Sequence, residues 1–281
     1  MPVSNQSYNN SNLTWAVIGG GNGGQSLAGH LALMGFAVRL YDIFPQTIEA
    51  IRSVGGIQVD GAVNGFGKID LATTDIAQAV DGADIVMVVA PAVAHRDIAA
   101  NCAPHLADGQ IIFIHPGATG GALEFNQVLL DQKCNKSVTL AEAESLLYAC
   151  RSQKPGHTTV FGIKNELMVA ALPATTTRGV VKLLNKAFPQ LYAGLNVLET
   201  SLSNANAMMH PAPTLLNTSL IESGSDWLYY WDGITPSIGE FLTGQDLTST
   251  GRTLENLGLA GMTFEEIREY IETGVRKQAP D

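Results

Sequence analysis

Charged residues are scarce in this sequence, and basic residues are scarcer than acidic ones. Charged residues make up 15% of the 281 residues, and 16 Lys and Arg stand against 26 Asp and Glu, which gives a formal net charge of −10. Such a chain repels the phosphates of nucleic acids and anionic lipids. We therefore expect neither a nucleic acid nor a membrane surface as its partner.

Cysteines and long apolar runs are also few. Cys102, Cys134 and Cys150 are widely spaced and form no CxxC motif, which argues against a disulfide framework or a zinc site. The six histidines form no HExxH motif, so we expect no metal. The longest strongly apolar run, residues 85–94, is much shorter than the ~20 residues of a membrane helix. Residues 1–12 lack a signal-peptide pattern, which predicts a cytoplasmic protein with a disordered tail.

Glycine, in contrast, is abundant, and one cluster has a recognisable spacing. Gly19, Gly21 and Gly24 form a GxGxxG motif between a predicted strand and a predicted helix, and Asp42 ends the next predicted strand. This pattern predicts a dinucleotide site in which the loop, with Asn22 and Gly23, binds the pyrophosphate and Asp42 binds the ribose hydroxyls. The alternative is a tight glycine turn that binds no ligand. No Arg or Lys occurs in the nine residues after Asp42, which favours NAD over NADP.

Alternating apolar strands and helical segments follow the glycine motif. Residues 84–89 and 110–114 are continuous apolar runs, typical of strands buried on both faces of a parallel sheet. The repetition predicts a doubly wound α/β domain with its site at the carboxyl ends of the strands. Two turns follow these strands, VAPAVAH with Pro91 and HPGATGG with Gly117 and Gly120, and they are either parts of that site or ordinary connections.

Strand patterns fade from Glu199 onward, and the sequence becomes helical. Pro211 and Pro213 predict a break near His210, and Asn206 lies four residues before this histidine on the same helical face. Spacing alone leaves His210 as either a functional residue or a hydrogen-bonded histidine at a kink. Arg151, after another apolar strand, is either a ligand for a substrate carboxylate or a surface cation.

Several longer motifs resemble the octopine/nopaline (opine) dehydrogenase family. In chain order they are AVIGGGNGGQSLAGHLAL, VAPAVAHRDIAAN, HPGATGGALEF, ESLLYACRSQKPG, SLSNANAMMHPAPTLLN, YYWDGITPSIG and GRTLENLGLAGM. The resemblance implies a dinucleotide-binding (Rossmann) domain at residues 13–198 and a smaller, shortened all-helical domain at residues 199–281, similar to the C-terminal domain of 6-phosphogluconate dehydrogenase. It also implies an NADH-dependent reductive condensation of an amino acid with a 2-keto acid such as pyruvate. Because the shortened helical domain leaves apolar faces uncovered, we expect either a homo-oligomer or a repacked C-terminal segment.

The resemblance assigns roles to individual residues. It implies that His210 is the acid/base and that four residues bind substrate: Asn206, Thr214, Gly120 and Arg151. In the family, a long helical stretch between ITPS and GRTLE carries the carboxylate that pairs with the histidine, whereas here only residues 238–250 lie there. Four carboxylates could replace it: Asp232, Glu240, Asp246 and Glu255.

Three functions therefore remain open at this point. The first is an active opine-type dehydrogenase. The second is a relative that binds NAD but is catalytically impaired because part of its helical domain is missing. The third is a 2-hydroxy acid or sugar-phosphate dehydrogenase on the same scaffold. Consumption of NADH in the presence of an amino acid and pyruvate separates the first function from the other two.

Overall fold

The computed structural model of the chain describes residues 13–204, 206–229 and 231–243. The strands in this part of the chain are β1 (Thr14–Ile18), β2 (Ala37–Tyr41), β3 (Gly56–Gly61), β4 (Gly65–Lys68), β5 (Leu71–Thr73), β6 (Ile85–Val88), β7 (Ile111–Ile114), β8 (Thr139–Ala143), β9 (Tyr148–Lys154), β10 (His157–Ile163), β11 (Leu167–Leu172) and β12 (Leu191–Ala193). The helices are α1 (Asn22–Leu33), α2 (Pro45–Val54), α3 (Ile76–Val80), α4 (His95–Cys102), α5 (Gly121–Asp131), α6 (Thr177–Leu184), α7 (Val197–Leu202), α8 (Asn206–Met209), α9 (Pro211–Leu216), α10 (Thr218–Ser223) and α11 (Pro236–Thr243).

Eight strands form the main sheet in the order β12-β11-β8-β7-β6-β1-β2-β5. The six strands from β8 to β5 run parallel, as the apolar runs predict. The two remaining strands depart from this arrangement, since β11 pairs antiparallel with β8 and β12 runs in the same direction as β11. The chain enters β11 at the carboxyl edge of the parallel strands, where Val169 pairs with Ala143. β11 therefore runs antiparallel to β8.

Helices cover both faces of this sheet, so the doubly wound α/β fold class is confirmed. One apolar core joins the strands to α1, α2 and α6, and a second core joins the opposite face to α3, α4 and α5. Pro45 begins α2, and Gly55 ends it in a left-handed conformation with φ of 80°. Since proline needs no amide partner in a first turn and glycine adopts positive φ without strain, both bounds follow from the sequence.

A second sheet, in the order β4-β3-β10-β9, packs against α1. The packing is close because both surfaces carry glycine. A Cβ atom on Gly67 would lie 2.3 Å from the carbonyl oxygen of Gly29, and one on Gly29 would lie 2.6 Å from the Val59 side chain. In this sheet β3 and β4 pair antiparallel, whereas β5 returns to the main sheet. The small sheet thereby packs on the side of α1, the helix that follows the glycine loop, that faces away from the main sheet.

Short helices follow the main sheet, with the break predicted near His210. His210 immediately precedes α9, and Pro211 is the first residue of that helix, where the missing proline amide costs no hydrogen bond. A small apolar cluster joins α9 to α11 through Ala212, Ile238 and Leu242. Within the described residues, no helix is long and apolar enough to cross a membrane, and no three His, Cys, Asp or Glu side chains are grouped as metal ligands.

Candidate functional site

The GxGxxG loop connects β1 to α1 at the carboxyl edge of the main sheet. Gly19 has φ of +117°, and Gly24 packs so closely on it that any Cβ would collide with the Gly19 carbonyl oxygen. No side chain among the described residues caps α1, and no acidic residue lies in its first turn. No atom of the described residues lies within 4 Å of a Cβ position at Gly21. The amino end of this 12-residue helix therefore presents backbone N–H groups, and the positive end of its dipole, to an anion.

Asp42 follows β2 and lies beside the glycine loop. Its Oδ2 accepts a hydrogen bond from the Gly20 N–H at 2.5 Å, and its Oδ1 accepts one from the Phe44 N–H at 2.8 Å. The sequence motif did not single out Gly20, yet a Cβ there would lie 2.8 Å from Asp42 Oδ2. The run of three consecutive glycines was the available signal. The carboxylate is thus held next to the turn, and each oxygen retains acceptor capacity for a hydroxyl.

The turn between β7 and α5 contains the second glycine cluster. Gly117 donates its N–H to the Ala143 carbonyl, and a Cβ at Gly117 would lie 2.5 Å from the Glu142 Cβ. Gly120 adopts φ of 75° and donates its N–H to Ser201 Oγ of α7 at 2.9 Å. Both glycines therefore allow close backbone approach. Pro91 precedes a short turn at the end of the neighbouring strand β6 and is exposed.

Glu142, which the sequence analysis did not single out, is 1% exposed in β8. Its Oε2 accepts the Ala122 N–H at the amino end of α5 at 2.7 Å. Its Oε1 accepts the hydroxyls of Thr200 and Ser201, both at 2.7 Å. An internal carboxylate thus satisfies the amino end of α5 and ties it to α7, whereas the amino end of α1 is left for an external anion.

The Arg151 side chain points away from the glycine loop, although both of its neighbours in β9 contact Asn22. Cys150 Sγ contacts the Asn22 carbonyl of α1 at 3.6 Å, and Ser152 donates its N–H to Asn22 Oδ1 at 2.9 Å. Because side chains alternate along a strand, Arg151 points to the opposite face of the small sheet, where it is exposed opposite Thr159. Burial raises the pKa of the Cys150 thiol, which keeps it protonated.

Residues 144–147, between β8 and β9, connect the two glycine turns. The Leu146 side chain lies 3.3 Å from a Cβ position at Gly23, and Leu147 donates its N–H to His115 Nε2 at 2.9 Å. Lys164, directly after β10, donates its backbone N–H to the Leu147 carbonyl and its ammonium to Ser145 Oγ at 2.5 Å. Burial and the nearby Lys164 charge lower the pKa of His115 to about 3, so this histidine is neutral.

His210 lies among groups of the helical region. The Tyr229 hydroxyl donates to the His210 carbonyl at 2.8 Å and lies 2.7 Å from the Thr214 hydroxyl, while the Tyr229 and His210 rings are 6.2 Å apart. The His210 N–H bonds to the Asn206 carbonyl at 3.2 Å. The structure therefore brings His210, Asn206 and Thr214 together, with Tyr229 as a neighbour that the sequence analysis did not identify.

The carboxylates suggested as partners of His210 are only partly described. Asp232 Oδ2 accepts the Leu228 N–H at 2.7 Å, so it closes a turn of its own segment. The Glu240 side chain and residues Asp246 and Glu255 lie outside the described part of the chain.

Comparison with known proteins places this geometry in a family. Residues 194–270 match the alpha-helical domain of NAD/NADP octopine/nopaline dehydrogenase, and residues 14–138 match the N-terminus of NAD-dependent glycerol-3-phosphate dehydrogenase. The opine dehydrogenase of Arthrobacter sp. (strain 1C) is 46% identical over 227 residues, which cover 80% of this chain and 63% of that protein. The octopine dehydrogenase of Pecten maximus is 27% identical over 211 residues, covering 70% of this chain and 52% of its own length.

A solved octopine dehydrogenase in a complex with NADH and L-arginine has the same fold. It superposes with a TM-score of 0.67 at 24% identity, and the match covers 83% of this chain and 61% of that one. The chain thus spans less than two thirds of the length of each of these three relatives. The glycine-loop domain, the helical-domain match and the relative at 46% identity agree, and the chain belongs to the octopine/nopaline (opine) dehydrogenase family.

Proposed function

We propose that this protein is an NADH-dependent oxidoreductase that condenses an amino acid with a 2-keto acid and reduces the resulting imine. The observation that carries the proposal is the uncapped amino end of α1 beside the Asp42 carboxylate. The family membership adds the reaction type. We further propose residues 13–198 as the cofactor domain and residues 199–281 as a shortened helical domain.

The residues around α1 fit a nicotinamide dinucleotide. The loop would hold the pyrophosphate through backbone N–H groups at Gly21, Asn22 and Gly23, and the Asp42 carboxylate would accept hydrogen bonds from ribose hydroxyls. Asp42 also repels a 2′-phosphate, which supports NAD over NADP. Pro91 and Gly117, at the ends of the neighbouring strands, would lie on the nicotinamide side because ligands of such sheets extend along the carboxyl edge.

His210 is proposed to move the proton of the reaction. The amine nitrogen of the amino acid bonds to the keto carbon, water leaves, and an imine remains. A bound NADH supplies the hydride for the imine carbon. His210 would deliver the proton to the nitrogen, and an imidazole is suited to this step because its ring nitrogens can both donate and accept a proton. Tyr229 holds the backbone of His210 in place through its hydroxyl.

Substrate contacts are proposed for the groups that surround these residues. Asn206 and Thr214 lie one helical turn before and after His210, so their side chains can bind substrate next to the proton donor. Gly120 lets the substrate approach the backbone of the second turn. The outward direction of Arg151 does not support the role that the resemblance implies for it.

Substitution of His210 tests the mechanism. In His210→Ala we expect the condensation rate to fall by about 10²–10⁴-fold, the usual effect of losing an acid/base group, with an unchanged NADH dissociation constant. The control is His105→Ala, since His105 is an exposed histidine after α4. Full turnover in His210→Ala, or a loss of NADH binding, would assign His210 a structural role instead.

The two other functions make different predictions. A 2-hydroxy acid or sugar-phosphate dehydrogenase, which the glycerol-3-phosphate dehydrogenase match favours, would oxidise NADH with a ketone in the absence of any amine. A catalytically impaired relative would bind NADH without turnover. Steady-state assays with keto acid alone, amino acid alone and both together separate the three cases.

A further inference from the structure

Lys164 is a cation at the carboxyl edge of the main sheet, and in the described part of the chain it has no carboxylate counter-ion. Within the described residues, no Asp or Glu oxygen lies within 4.0 Å of its ammonium, whereas Arg96 on α4 pairs with Glu124. Glu144, the nearest acid along the chain to Ser145, is instead oriented toward β11, where its Oε1 lies 3.4 Å from the Met168 amide nitrogen. The Lys164 ammonium has three N–H donors, of which Ser145 Oγ takes one, so two can bind an external acceptor.

The surrounding contacts hold Lys164 between the two glycine turns. Its backbone N–H bonds to the Leu147 carbonyl at 3.0 Å, and Leu147 in turn donates to His115, the residue that begins the second turn. Leu146 contacts the first turn of α1 at Gly23. Ser145, whose Oγ accepts the hydrogen bond from the ammonium, is only 9% exposed and is fixed by the segment on either side. The Lys164 backbone is therefore fixed at the edge where ligands bind, and its exposed side chain is held there by the Ser145 hydroxyl.

We propose that Lys164, together with the Ser145 hydroxyl, binds the carboxylate of the 2-keto acid. This assignment rests on the proposed function, and it replaces Arg151, which faces away from the edge, as the cation for that carboxylate. The alternative anion, the cofactor pyrophosphate, belongs at the amino end of α1 next to β1. Lys164 is connected instead, through Leu147, to His115 at the end of β7, which is separated from β1 by β6.

The test measures pyruvate, glyoxylate and 2-oxoglutarate binding to the protein–NADH complex by calorimetry, with NADH binding measured separately. Lys164→Met should weaken binding of the preferred keto acid about 10- to 100-fold, the range for a lost charge-assisted hydrogen bond, and leave the NADH dissociation constant within about twofold. Lys164→Arg keeps the charge and should retain most of the affinity. The matched control is Lys154→Met at the opposite end of the β9–β10 hairpin, which should change neither affinity.

The outcomes separate this inference from the proposed function. A wild type that binds NADH and a keto acid but forms no condensation product would contradict the proposed reaction. In that case, a loss of keto-acid affinity in Lys164→Met would still support the Lys164 assignment. Unchanged keto-acid affinity in Lys164→Met would overturn the assignment, as would a wild-type NADH complex that binds none of the three acids. A loss of NADH affinity equal to the loss of keto-acid affinity would place Lys164 on the cofactor and also overturn it.

Discussion

Replacement of Asp42 by Asn should reduce the preference of the protein for NADH over NADPH. The Asp42 side chain is 8% exposed and accepts the N–H groups of Gly20 and Phe44, so its charge lies at a fixed position beside the glycine loop. Two unit charges about 4 Å apart repel by about 4 kcal/mol at an effective dielectric constant of 20. If half of that repulsion, about 2 kcal/mol, acts between Asp42 and the 2′-phosphate of NADPH, the protein binds NADH about 30-fold more tightly than NADPH.

Fluorescence titration of wild type and Asp42→Asn with both reduced cofactors measures this effect. We expect the roughly 30-fold ratio of dissociation constants to approach one in the variant, because the repulsion disappears. NADH binding itself should weaken by about tenfold, because hydroxyls bond less strongly to a neutral amide than to a carboxylate.

The control for this experiment is Asp70→Asn. Asp70 Oδ2 accepts the Val38 N–H at 2.8 Å near the other end of β2, so the same chemical change occurs away from the glycine loop. It should leave both affinities unchanged. A wild type that binds NADPH as tightly as NADH would refute the argument, and so would a ratio that is unchanged in Asp42→Asn.

Three further predictions concern stability and assembly. Glu142→Ala should lower the free energy of unfolding by about 3 kcal/mol in urea titrations, because it leaves an amide and two hydroxyls without their buried acceptor. The control is Glu166→Ala, which removes an exposed carboxylate and should cost less than about 0.5 kcal/mol. Equal urea midpoints for the two variants would contradict this prediction. Burial lowers the pKa of His30 from 6.5 to about 4. As the pH decreases, this histidine is therefore protonated in the unfolded chain before it is protonated in the native protein. The free energy of unfolding should fall by about 3 kcal/mol between pH 6.5 and pH 4. His30→Gln should weaken this pH dependence, and parallel pH profiles would show that another group causes it. We also expect self-association, because the apolar side chains of Leu215 and Trp231 are 73% and 85% exposed. Light scattering should show smaller assemblies for Leu215→Asp and for Trp231→Ser than for the wild type. A monomeric wild type would contradict this expectation.

The local parts of the fold and site could be predicted from the sequence. The strand, glycine turn and helix around Gly19, the bounds of α2 and the break before Pro211 each depend on residues adjacent in the chain. Proline and glycine restrict or permit particular backbone angles wherever they occur, so their consequences can be derived without the tertiary structure. The same holds for Asp42, whose place after β2 puts it at the carboxyl edge.

Contacts between distant segments could not be predicted. Glu142 meets Ser201 only because β8 and α7 are packed together, and Lys164 meets Ser145 only because the β9–β10 hairpin returns to the main sheet. The direction of Arg151 depends on which face of the small sheet packs against α1, and alternation within the strand does not determine that. The reversed direction of β11 likewise follows from this detour through a second sheet.

Transfer of deuterium from NADH deuterated at the nicotinamide C4 position tests the central claim most directly. The protein is incubated with the labelled cofactor, an amino acid and a 2-keto acid, and the products are analysed by mass spectrometry. The proposed reaction predicts an N-(1-carboxyalkyl) amino acid with a single deuterium on the former keto carbon, formed only when both substrates are present. A deuterated 2-hydroxy acid formed without the amine, or NADH binding with no labelled product, would contradict it.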